Sequence, residues 1–71
     1  MKKKILIEGM SCGHCVNHVK GALKELEGVV SAEVDLDTKT ARLEATKDIK
    51  DEEIRSIIEE VGYEVVGIES L

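Results

Sequence analysis

The chain has 71 residues, 10 Lys and Arg against 15 Asp and Glu for a net charge of −5, and no Phe, Trp or Pro. A length of this order permits one small domain that buries roughly 60% of the surface its unfolded chain exposes, with a core limited to Ile, Val, Leu and Ala side chains. The acidic balance argues against nucleic acid as the partner, because phosphate binding needs a basic surface.

At the start, Met1-Lys2-Lys3-Lys4 has the charge of a signal-peptide n-region. The apolar run behind it, Ile5-Leu6-Ile7, is far shorter than the roughly 7–15 residues such a signal requires. No other stretch approaches transmembrane length. The chain therefore reads as cytoplasmic, where thiols stay reduced.

Lys4 to Glu8 predicts a short buried strand rich in Ile. A loop follows, Gly9-Met10-Ser11-Cys12-Gly13-His14-Cys15. From Cys15 to Glu27, Val16, Val19, Leu23 and Leu26 recur at three- and four-residue steps with Ala22 on the same face. That spacing predicts an amphipathic helix, capped at its end by Gly28. Val30, Ala32, Val34 and Leu36 alternate with Ser31, Glu33 and Asp35, the period of a half-buried strand. Asp37-Thr38-Lys39 makes a turn, and Ala41, Leu43 and Ala45 form the inward side of a returning strand. A second helix runs from Asp51 to Val61 with Ile54, Ile57, Ile58 and Val61 on one face and acids in its first turn, where the helix dipole favours them. Gly62 ends it, and Tyr63 to Glu69 is the last strand.

The order is β-α-β-β-α-β, and with no linker or low-complexity segment residues 1–71 read as one α+β domain. Its usual packing is the ferredoxin-like sandwich, a four-stranded antiparallel sheet with two helices on one face. There the last strand lies antiparallel beside the first, which brings Gly62-Tyr63 next to the loop that carries the cysteines.

Cys12-Gly13-His14-Cys15 has several chemical readings. As a dithiol oxidoreductase site it sits correctly at a helix N-terminus, where thiolates are stabilised. Its surroundings disagree: without proline there is no cis-proline to face the dithiol, and no Trp precedes the first Cys. A structural zinc needs four ligands, and Cys12, His14, Cys15 and His18 crowd into seven residues, with the adjacent His14 and Cys15 obliged to point the same way. The third reading is an open clamp. Two thiolates hold a soft monovalent ion without further protein ligands, which favours copper(I), while zinc, cadmium and mercury(II) are also accepted. Gly9 and Gly13 let the loop bend so that the sulfurs converge, and the first turn of the helix supplies backbone N–H groups toward the thiolates.

Gly9-Met10-Ser11-Cys12-Gly13-His14-Cys15, set after the first strand, resembles the G-M-x-C-x-x-C signature of heavy-metal-associated domains, which include copper chaperones and the soluble metal-binding domains of copper-transporting P-type ATPases. The resemblance spans essentially the whole chain, and Val61-Gly62-Tyr63-Glu64-Val65 is similar to the bacterial copper chaperones. It implies a metallochaperone, not an enzyme, that binds copper(I) through Cys12 and Cys15 and passes it to a copper-transporting P-type ATPase by thiolate exchange. By the same analogy, a copper-responsive repressor is a second recipient; and because one exposed bis-thiolate site can share ligands with another, a chain that is monomeric without metal has a route to a copper-linked dimer. The opening Met1 and the absence of linker residues read as a chain standing alone rather than a domain cut from an ATPase.

The resemblance further implies that Met10 turns inward and packs beneath the loop, and that Tyr63 shields the loop and places its hydroxyl nearby. His14 reads first as a surface residue, with adjustment of the cysteines or a third ligand in a dimer as its functional alternatives. His18, one helical turn beyond Cys15, reads as a surface residue within reach of the metal. Relatives selective for zinc or cadmium often carry an acid before the first Cys; Ser11 offers no such oxygen, which favours copper(I). Helix two holds five acids and one Arg, a net of −4, whereas helix one balances Lys20 and Lys24 against Glu25 and Glu27. Both read as solvated faces, with Lys20 and Lys24 available to steer docking onto an acidic partner.

Overall fold

A computed structural model describes residues 1–10 and 13–71. Strand β1 (Lys2–Glu8) leads to helix α1 (Gly13–Lys24), the hairpin β2 (Val29–Asp35) and β3 (Thr40–Ala45), helix α2 (Asp51–Glu60) and strand β4 (Glu64–Ser70). The four strands form one sheet in the order β2-β3-β1-β4, and every neighbouring pair is antiparallel. Both helices pack on the same face, so the fold is the ferredoxin-like sandwich.

The alternation of side chains along each strand explains the layering. On β1, Ile5 and Ile7 face the helices and are fully buried, while Leu6 between them is only half-buried. Ile5 stands opposite Ala41 on one side and Ile68 on the other, and Ile7 stands opposite Val65. Ala41, Leu43 and Ala45 are buried as their alternation requires. From the helices, Val19, Ala22 and Leu23 of α1 and Ile54 and Ile58 of α2 complete the core. Among the described residues, no helix is long and apolar enough to cross a membrane.

Several boundaries differ from the sequence expectation. Strand β1 begins at Lys2, because Lys2, Lys3 and Lys4 pair with Glu44, Leu43 and Arg42 of β3; three successive lysines conceal a strand whose backbone bonds are satisfied by its neighbour. Helix α1 starts at Gly13 and ends at Lys24, and Gly28 lies in the turn before β2 rather than at the helix cap, its carbonyl accepting from Thr46 N–H at 2.8 Å. Val30 was expected inside and is 58% exposed. The β2–β3 register shifts between Val29 and Ser31, so an extra residue enters there and Val29, not Val30, packs against the core. Val61 is likewise exposed, since α2 stops at Glu60. Ile57 is half-buried, and Tyr63 precedes β4 rather than opening it.

Candidate metal centre

The thiol loop leaves the end of β1 through Gly9, whose φ of +97° is a left-handed conformation that a side chain resists. Met10 follows and is 4% exposed, packed into the hydrophobic core. Ser11 and Cys12 lie outside the described residues.

The chain then enters α1 at Gly13. His14 is exposed, while Cys15, in the first turn, is half-buried and packs against the core. Backbone N–H groups in the first turn of a helix have no intrahelical acceptor and carry the positive end of the helix dipole, which favours an anionic sulfur at that place. Among the described residues, no three His, Cys, Asp or Glu side chains gather into a metal cage.

Beside Gly9 stands Tyr63, whose position follows from how α2 ends. Val61 closes the helix, Gly62 takes a φ of +98°, the Gly62 N–H donates to the Glu59 carbonyl at 3.0 Å, and the Tyr63 N–H donates to the Ile58 carbonyl at 3.2 Å. This pair of back-directed bonds is the Schellman motif, which fixes the direction in which the chain leaves a helix. Here it directs Tyr63 to the end of β1, because Glu64 and Glu8 are partners in the β1–β4 ladder. The half-buried ring lies against Gly9: a Cβ at that glycine would stand 3.5 Å from Tyr63 Cδ1. The Tyr63 hydroxyl lies 3.5 Å from His18 Nδ1. Topology thus brings Gly9, Met10, Cys15, His18 and Tyr63 to one end of the sandwich.

That His18 meets Tyr63 was not legible in the sequence, where each residue is assigned a separate relation to the loop and the two stand 45 positions apart. The signal that was available is the α1 periodicity, which sets His18 one turn beyond Cys15 on the same side. Lys20 and Lys24 are exposed farther along α1.

Comparison with known proteins agrees with this geometry. The heavy-metal-associated domain matches residues 4–64. The protein named copper chaperone CopZ of Staphylococcus haemolyticus is 46% identical over 66 residues, covering 92% of this chain and 97% of the relative. A solved structure described as CopZ metallochaperone superposes with a TM-score of 0.87 at 34% identity, covering 93% of this chain and all of the other. The crystal structure of a copper-binding domain from HMA7, a P-type ATPase, superposes with a TM-score of 0.82 at 33% identity over 99% of this chain and 100% of that one. The chain belongs to the heavy-metal-associated domain family.

Proposed function

We propose that this chain is a copper(I) metallochaperone. Cys12 and Cys15 hold the ion as paired thiolates and pass it to the matching soluble domain of a copper-transporting P-type ATPase. The observation that carries the reading is the place of Cys15: half-buried, in the first turn of a helix entered directly from the thiol loop. Relatives named copper chaperones, matched over nearly their whole length, support the choice of metal.

Two sulfurs satisfy a soft monovalent ion and leave one side of it accessible. In transfer, a thiolate of the recipient adds to copper, giving a three-coordinate intermediate. One Cu–S bond to this chain then breaks, a second recipient thiolate adds, and the remaining bond breaks. Copper keeps at least two sulfurs throughout and never changes oxidation state. The chain is a carrier and catalyses no covalent reaction. A copper-responsive repressor is a second recipient of the same chemistry, and two copies sharing ligands would form the copper-linked dimer.

The test is direct transfer. Copper-loaded chain is mixed anaerobically with an isolated ATPase metal-binding domain in the presence of a chelator that intercepts only released copper(I). The proposal expects the recipient to fill without chelator capture. Copper that reaches the recipient only by way of the chelator-accessible pool contradicts it.

A further inference from the structure

The proposed carrier has to hold a two-coordinate ion at an open loop without losing it to solvent, and one pair of side chains bears on that requirement. Tyr63 is the only aromatic residue in the chain, and its ring rests against Gly9 where the chain leaves β1 for the thiol loop. The Schellman motif places the Tyr63 backbone, and the side-chain torsions place the ring. His18 supplies a second point of attachment. It projects from α1 one turn after Cys15, and its Nδ1 meets the Tyr63 hydroxyl at 3.5 Å.

We infer that His18 is a positioning residue for Tyr63. Its Nδ1 holds the phenol so that the ring stays over Gly9, where the chain enters the thiol loop, and this slows loss of the bound metal. The part concerning metal rests on the function proposed above; the part concerning the ring does not. A 3.5 Å contact in an exposed position is a weak hydrogen bond. Its expected influence is therefore kinetic and small, about two- to five-fold on a release rate. The link ties α1 to the residue just before β4, so it joins the helix that follows the loop to the chain that runs beside the end of β1. It opens without unfolding either of them, which suits a site that must also give its ion away.

The test compares the full-length chain with His18→Ala, His18→Asn and Tyr63→Phe. Asn carries an amide oxygen near the place of Nδ1 and serves as the conservative rescue. In the metal-free proteins, nuclear Overhauser contacts between the Tyr63 ring and the Gly9 α-protons report the ring directly, with a single Tyr giving one set of signals. His18→Ala is expected to weaken those contacts and His18→Asn to restore them. In the copper(I)-loaded proteins, release to a chelator should be about two- to five-fold faster for His18→Ala and for Tyr63→Phe, no faster when the two are combined, and near wild type for His18→Asn. Ring contacts that survive His18→Ala, additive effects in the double variant, or an unchanged release rate would overturn the inference. A wild-type chain that takes up no copper(I) through its thiols would instead overturn the function proposed above, and that outcome appears before any His18 variant is made.

Discussion

Lys3, in the middle of a sheet, directs its ammonium group to the start of α2, where it donates to the Ile49 carbonyl at 3.0 Å and pairs with the Asp51 carboxylate. The lysine is 8% exposed and lies on the helix-facing side of β1, between the strand and the segment that turns into α2. It fixes the first turn of α2 over the core, and Ile49 fills the space beside it, fully buried. Lys3→Ala leaves the Ile49 carbonyl without its charged donor and should lower stability by about 1–3 kcal/mol. For a domain of this size each kcal/mol moves the melting temperature by about 4–8 °C. Lys3→Met keeps the aliphatic stem and should lose less than Lys3→Ala; thermal unfolding of the two variants checks the order.

Met10 separates packing from ligation. At 4% exposure within the core, Met10→Ala should destabilise by about 2–5 kcal/mol, whereas Met10→Leu, which nearly conserves volume, should cost less than about 1.5 kcal/mol. Copper(I) stoichiometry and affinity should be unchanged in Met10→Leu. A Leu variant that folds normally yet loses copper would make the thioether a ligand.

Gly9 is required by its backbone. Its φ of +97° is resisted by side-chain-bearing residues, so Gly9→Ala should cost about 1–2 kcal/mol. The space itself is adequate, since the added Cβ would sit 3.5 Å from Tyr63 Cδ1, an ordinary contact. Chemical denaturation should show the loss with an unchanged slope, because the surface exposed on unfolding is the same.

Much of this molecule was legible because its elements follow simple periods. The Val16–Leu26 and Ile54–Ile58 steps located both helices, and the Ala41–Leu43–Ala45 alternation located the inward side of β3. What escaped depends on partners distant in sequence. Lys3 is only one of an opening run of lysines in the sequence, until Asp51 and the Ile49 carbonyl are brought to it. Ile49 stands alone between two elements, with no periodic neighbour to mark it as core. Val30 has the alternation of a core residue, but an irregularity in the β2–β3 ladder turns it outward, and register shifts leave little trace in a single strand. Near the thiol loop, the burial of Met10 and the approach of Tyr63 to Gly9 agree with what the resemblance implied for their positions. The meeting of Tyr63 with His18 required the fold.

Lys20 and Lys24 test how the proposed carrier finds its recipient. Both are exposed on α1, which begins at the thiol loop, and long-range charge acts mainly on association rates. Lys20→Glu combined with Lys24→Glu should slow copper transfer to an acidic ATPase domain by about an order of magnitude at low salt, while leaving copper affinity unchanged. The difference should shrink as ionic strength rises and the charges are screened. Stopped-flow transfer measured at several salt concentrations reads both.

The proposed function stands or falls on two sulfurs, Cys12 and Cys15, holding one soft ion. Anaerobic competition against a copper(I) chelator, run on the wild-type chain and on the Cys12→Ser, Cys15→Ser double variant and repeated with zinc, tests it most directly. One tightly held copper(I) per wild-type chain, weaker competition by zinc, and no specific copper uptake by the folded double variant are expected. Copper uptake that persists without both thiols, or a wild-type chain that takes zinc strongly and copper(I) not at all, would contradict it.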